Sequence, residues 1–124
     1  MKRNLRFKAK YEGKLYDVVN ISLSNGSVTS VTIPLKRFPY TQNIVPDELI
    51  QFIDRVDANG RKIYEGDYDS DGVCVVWCDT CMGWEFAQID IPTGDFCISC
   101  HRCDGNFFFE DHISEFCVIG NVYE

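Results

Sequence analysis

The seven cysteines are the residues of this chain whose spacing says most about chemistry. Two pairs have the form Cys-x-x-Cys-x-Gly, Cys78 with Cys81 and Cys100 with Cys103, and eighteen residues separate the pairs. Two residues between thiolates allow a tight turn that directs both sulfur atoms at one ion, and this separation is typical of four-cysteine zinc sites. The spacing predicts a structural zinc site formed by Cys78, Cys81, Cys100 and Cys103.

Three alternatives to this assignment stay open. Cys97 and Cys100 also have two residues between them and could form the second pair, and His101 could replace one thiolate. The thiols could instead be free in a reducing cytosol, because cysteine also packs as a small apolar side chain. An odd number of cysteines argues against a disulfide framework. A closed four-sulfur site leaves no coordination position for a substrate, so its metal would be structural.

The other residues whose side chains could bind ions or take part in catalysis do not form a recognisable active site. Residues 67–72 copy the first half of a calcium loop, but Cys78 stands where the bidentate Glu is expected, so we interpret them as an acidic hairpin loop. His112 stands beside two acidic residues and is interpreted as a solvated loop residue. The sequence has no phosphate-binding loop, nucleophile elbow or acid–base pair, and we expect no enzyme activity.

Charge is distributed unevenly along the chain, whose formal net charge is −7. Residues 1–62 hold 11 basic and 6 acidic residues, whereas residues 63–124 hold 1 basic residue, Arg102, and 13 acidic ones. The acidic surplus disfavours nucleic acid as a main partner. Two halves of opposite net charge can attract each other within one fold, or head to tail between subunits. We therefore expect a homo-oligomer. The alternative is two solvated faces, because exposed ion pairs are weak.

The elements that must position these residues are predicted to be short strands. Leu5, Phe7 and Ala9 alternate with basic residues, which is typical of a half-buried strand. Further strands are predicted at 14–19, 28–33, 73–77 and 84–91, with late strands at 107–109 and 116–119. Three prolines punctuate a loop-like middle, in which residues 43–46 are predicted to be the most flexible.

Residues 47–53 are ambiguous, because Pro46 and two acidic residues suit a helix start, whereas Asn59-Gly60 suits a strand that enters a two-residue hairpin. We prefer a strand there. Short strands with Gly-rich turns predict a mainly β fold, a small barrel-like or curled antiparallel sheet with long loops and at most one short helix. An α+β fold is the alternative. The 124 residues suit one domain, and no apolar run has the length of a membrane span.

Three stretches of the chain resemble the YopX-like family of phage and prophage proteins. They are Leu-Arg-Phe-Lys-Ala at 5–9, residues 51–67 with Asn-Gly-Arg-Lys-Ile-Tyr-Glu-Gly-Asp at 59–67, and Val-Ile-Gly-Asn-Val-Tyr-Glu at 118–124. The resemblance implies a single mainly β domain over residues 1–124 in the cytoplasm of a bacterial host, with no established catalytic residues. The chain departs from the family pattern where cysteines crowd the sequence, so residues 74–106 are interpreted as a Cys-rich insertion.

These observations predict an accessory protein encoded by a phage or mobile element. It would act by binding or assembly, as a homo-oligomer or with an unknown protein partner, and without nucleic acid or membrane. The alternative is a zinc-stapled interaction module that recognises a host or phage macromolecule. An enzyme with an unrecognised site is the third hypothesis.

Overall fold

The structure is a computed structural model that describes residues 6–96 and 99–124. Leu5, at the start of the first predicted strand, and Cys97, the alternative metal ligand, lie outside the described residues. Antiparallel strands dominate and the structure has one short α-helix, so the predicted mainly β fold is confirmed. Two compact units are present, one formed by Met1–Gln51 with Tyr123–Glu124 and the other by Phe52–Val122. The single domain over residues 1–124 stays a prediction.

The first unit contains antiparallel strands with short connections. In chain order they are β1 (Phe7–Tyr11), β2 (Lys14–Asp17), β3 (Asn20–Ser24), β4 (Ser27–Pro34), β5 (Thr41–Ile44) and β6 (Glu48–Val56), which continues into the second unit. Strand β1 pairs with β2 and with the first half of β6, and β4 pairs with β3 and β5. The strand preferred over a helix at residues 47–53 is therefore present as β6.

The core of the first unit is small and consists of Ala9, Val31, Ile33 and Ile44, all buried. The predicted loop-like middle is wrong at β5, which runs along β4 and buries Ile44. Cross-strand bonding supports this pairing, since the Thr32 hydroxyl donates to Asn43 Oδ1 at 2.6 Å. Strand β5 could not be predicted from the sequence, because a polar edge strand with one buried residue lacks the apolar alternation typical of a half-buried strand.

The second unit contains the candidate site. After β6 its elements are β7 (Lys62–Tyr64), β8 (Asp67–Tyr68), β9 (Val73–Cys78), β10 (Gly83–Gln88), α1 (Phe109–His112), a 3-10 turn (Ile113–Glu115) and β11 (Gly120–Asn121). Strands β8 to β11 form one antiparallel sheet in the order β10-β9-β8-β11, so β10 is an edge strand. In the part of the chain that the structure describes, no helix is long and apolar enough to cross a membrane.

The two predicted late strands are wrong. Phe109 begins α1, and β11 is confined to Gly120–Asn121, beyond the predicted strand at 116–119. The rings of Phe109 and Phe116 lie 4.6 and 4.9 Å from the ring of the fully buried Phe86. Phe109 and Phe116 therefore belong to the core, and the preference of aromatic residues for strands is overridden here by tertiary packing.

The hairpin between β6 and β7 differs from the predicted two-residue turn. The Asp57 N–H donates to the Arg61 carbonyl oxygen at 2.8 Å, which encloses a loop of three residues. Gly60 takes a left-handed φ of 79° and Asn59 does not, as expected where a turn is followed by a left-handed residue. The glycine is required at this position, but the turn is one residue longer than predicted.

Candidate metal centre

Two tight turns of the second unit carry the four predicted ligands. Cys78 ends β9, and the chain reverses through Cys81 into β10, while Cys100 and Cys103 lie on a later turn. In the first turn the Cys81 N–H donates to Cys78 Sγ at 3.5 Å, and in the second the Cys103 N–H donates to Cys100 Sγ at 3.4 Å. We call these turns the first knuckle (residues 78–83) and the second knuckle (residues 100–105).

The four sulfur atoms all lie within 4.8 Å of one another. Cys103 Sγ is 3.6 Å from the Sγ atoms of both Cys78 and Cys81, and Cys81 Sγ is 3.8 Å from Cys100 Sγ. A tetrahedral site with Zn–S bonds of about 2.3 Å has sulfur–sulfur edges of about 3.8 Å. The four side chains thus fit a metal ion such as zinc, and their role as ligands stays a prediction.

The clustered thiols change one another's pKa values in opposite directions. The Cys81 N–H and then neighbouring thiols donate to Cys78 Sγ, which lowers the pKa of Cys78 to about 7. Desolvation raises the pKa of Cys81, and hydrogen bonding with neighbouring thiols, first that of Cys100, raises the pKa of Cys103. Several thiolates this close together would repel one another, and a divalent cation between them would offset that repulsion.

His101, the alternative ligand that the structure describes, and the nearby cysteine Cys74 lie in other surroundings. His101 stacks on Phe107 with ring centroids 4.3 Å apart, and its Nε2 and Nδ1 atoms lie 3.3 and 3.1 Å from Gln88 and Asn106. Burial lowers the pKa of the His101 imidazole. Cys74 is fully buried in β9, where desolvation, followed by the nearby acidic side chains, raises its thiol pKa to about 12. Such a thiol is chemically inert at neutral pH.

The family model described as "YopX protein" matches residues 4–124. The chain belongs to the YopX family. No curated protein and no solved structure matches the chain significantly. The match covers nearly the whole length, cysteine-rich region included, so the resemblance noted in the sequence is confirmed.

Two of the three stretches that carry the YopX resemblance, residues 51–67 and 118–124, meet through buried carboxylates. Asp57 Oδ2 accepts the N–H of Val118 at 2.9 Å, and Asp67 Oδ1 accepts from the Asn121 amide at 2.8 Å. Burial alone raises the pKa of Asp57, but backbone N–H donors, first that of Val118, outweigh it and hold the pKa below its usual range. These hydrogen bonds indicate that the two stretches serve to stabilise the fold.

The acidic hairpin loop between β8 and β9 is more buried than the sequence indicated. Asp69 is 5% exposed, and its Oδ1 atom accepts the N–H groups of Asp71 and Val73 at 3.0 Å. His112 Nε2 lies 3.3 Å from Asp69 Oδ2, and the His112 side chain is 18% exposed. The interpretation of His112 as a solvated loop residue is therefore wrong. Sequence reasoning missed this contact because its partners lie 43 positions apart in the chain.

An ion pair between a half-exposed arginine and a buried glutamate connects the second knuckle to the sheet, and the sequence analysis did not find it. Arg102 Nη1 lies 3.4 Å from Glu85 Oε1, and the Arg102 guanidinium also covers the Phe108 ring at 5.0 Å. Glu85 is buried on β10, and among the described residues its Oε2 atom has no hydrogen-bond partner. The signal in the sequence was that Arg102 is the single basic residue after residue 62.

Proposed function

We propose that this member of the YopX family is a phage-type accessory protein that acts by binding in the bacterial cytoplasm, and that its second unit is a zinc-stapled interaction module. The observation that supports the proposal is the group of four cysteine sulfur atoms within 4.8 Å of one another. Two knuckles separated in sequence converge there, each with an N–H···S bond. A reducing cytoplasm would keep these thiols available for metal.

The chemistry of a four-sulfur site favours binding over catalysis. Four thiolates fill a tetrahedral shell, so zinc held by them would staple the two knuckles and leave no position for a substrate. The N–H groups of Cys81 and Cys103 would offset part of the negative charge of the thiolates. The protein would therefore contribute a shaped and stabilised surface rather than a reacting group.

We expect protein purified without chelator to contain one equivalent of zinc. Metal analysis measures the content, and titration with a thiol reagent should find four protected cysteines that become reactive on chelation. The Cys117→Ser variant is the matched control, because Cys117 lies outside the four-sulfur group and should keep the zinc. Zinc far below one equivalent, with the thiols of Cys78, Cys81, Cys100 and Cys103 freely titratable, would contradict the proposal.

Self-assembly is the second candidate function, as a homo-oligomer in which basic and acidic surfaces meet. It is supported by the charges of +5 on residues 1–62 and −12 on residues 63–124, which follow from 11 less 6 and 1 less 13. The β3–β4 region of the first unit also exposes three apolar side chains, Val19, Leu23 and Val28. Edge strands with exposed apolar residues are prone to pair with other chains.

Light scattering at low and high salt tests this assembly. We expect an oligomer at roughly 0.05 M salt that dissociates as the ionic strength approaches about 1 M, because salt screens attraction between exposed charges. A Leu23→Ser variant should weaken the association further if the exposed strand takes part. A monomer at every salt concentration, or an oligomer indifferent to salt, would rule out charge-driven assembly.

A further inference from the structure

A groove of about 360 Å³ lies beside the cysteine group in the second unit. Its walls combine aromatic, small apolar and polar side chains with three of the four cysteines, and we call it the knuckle groove. The side chains that matter for its chemistry are Trp77, Asp79, Phe96 and Ser99. The proposed zinc staple would hold the knuckle residues on its wall in place.

Trp77 gives the knuckle groove a rigid aromatic wall. The indole Nε1–H donates to Asp79 Oδ1 at 3.0 Å, and Trp84 stands edge-on with ring centroids 5.3 Å apart. Trp77 is nevertheless 47% exposed, and Phe96 on the groove lining is 46% exposed. An aromatic side chain that is half exposed and already held in one orientation, as Trp77 is, binds a partner with little loss of side-chain entropy.

The surroundings of the knuckle groove are acidic. Asp79 lines it, Asp95 directly precedes Phe96, and Asp104 accepts a hydrogen bond from the Ser99 hydroxyl. Among the described residues that line the groove, none is lysine or arginine. Arg102, on the second knuckle, is engaged by Glu85 and Phe108. Four thiolates around one divalent ion would add a net negative charge, so a cation is the complementary ligand.

We propose that the knuckle groove binds an arginine- or lysine-bearing segment of a partner protein. The cationic group lies over the exposed face of Trp77 and forms an ion pair with Asp79, while Phe96 covers the aliphatic stem. Cations over tryptophan rings are attracted by the ring quadrupole, and arginine in addition stacks on it. This inference names the partner class of the interaction module proposed above and so rests on that proposal.

The test is titration of ¹⁵N-labelled, zinc-loaded full chain with the acetylated peptide Gly-Arg-Gly-Arg-Gly at low salt, followed by NMR. We expect shifts of the Trp77 indole N–H resonance and of backbone amides at 77–80.

Trp77→Ala should weaken binding about tenfold, as for a central interface tryptophan. Asp79→Asn keeps an acceptor for the indole while removing the charge, and should weaken binding without disturbing the fold. Met82→Ala is the matched control, since Met82 is exposed on the same knuckle and outside the groove.

Several results would overturn the inference. Equal binding of the Gly-Gln-Gly-Gln-Gly peptide, shifts confined to residues outside the groove, or unchanged affinity in both groove variants would each do so. Breakdown of an oligomer by Trp77→Ala would assign the groove to a second copy instead. Metal content measured on the same sample separates the two proposals. Groove binding by zinc-free protein would refute the staple alone, and zinc-loaded protein without groove shifts would refute this inference alone.

Discussion

Replacement of Cys103 by serine is expected to abolish zinc binding and to lower the unfolding temperature of the second unit by more than about 15 °C. Cys103 Sγ lies 3.6 Å from the Sγ atoms of Cys78 and Cys81, so its replacement removes one corner of the sulfur tetrahedron. Structural zinc contributes an apparent binding free energy of about 10 kcal/mol or more to folding. Calorimetry together with metal analysis measures both effects.

The control for this prediction is Cys117→Ser, which removes a half-buried thiol outside the group and should cost little. A strong chelator added to the native chain should reproduce the Cys103→Ser melting curve, and added zinc should restore the original one. Melting curves that chelation leaves unchanged would show that the four thiols contribute to the fold without a metal.

Replacement of Phe86 by alanine is expected to destabilise the second unit by about 3–5 kcal/mol. Phe86 is 1% exposed, stacks on Phe109 at 4.6 Å and also contacts the rings of Phe116 and His112. Truncation would leave a cavity where several aromatic rings meet, and the surrounding strands cannot collapse into it fully. Urea unfolding followed by far-ultraviolet circular dichroism measures the free energy of unfolding.

Phe108→Ala is the matched control for Phe86→Ala, because Phe108 is exposed in the same unit and its contact with Arg102 should be worth less than about 1 kcal/mol. If Phe86→Ala does not fold, Phe86→Leu should give a folded variant with a smaller loss. Equal losses at Phe86 and Phe108 would contradict the assignment of the core.

Local rules explain how much of the fold could be predicted. Strands β4, β9 and β10 can be predicted from their β-branched and aromatic residues. The positive φ at position 60 of the hairpin favours glycine there, so Gly60 also marks the turn. The four cysteines that the structure brings together are also those singled out by spacing. A Cys-x-x-Cys turn constrains its own geometry, so sequence distance is informative there.

Contacts between distant residues could not be predicted in this way. The aromatic residues at 107–109 suggested a strand, whereas the position of Phe86 draws Phe109 into the core on a short helix. The pairing of His112 with Asp69, and that of Arg102 with Glu85, depend on where the chain returns in space. Composition and periodicity do not show which distant segments of the chain contact each other. On their basis alone His112 is predicted to lie in solvent.

The second knuckle also occupies the open side of β10. The His101 N–H donates to the Phe86 carbonyl oxygen at 2.7 Å, and β10 is the outer strand of its sheet. An uncovered row of backbone donors and acceptors is a template on which further chains can add as strands. If zinc loss loosens this knuckle, the metal-free chain gains a growth site for fibrils, and cellular zinc supply then governs solubility as well as fold.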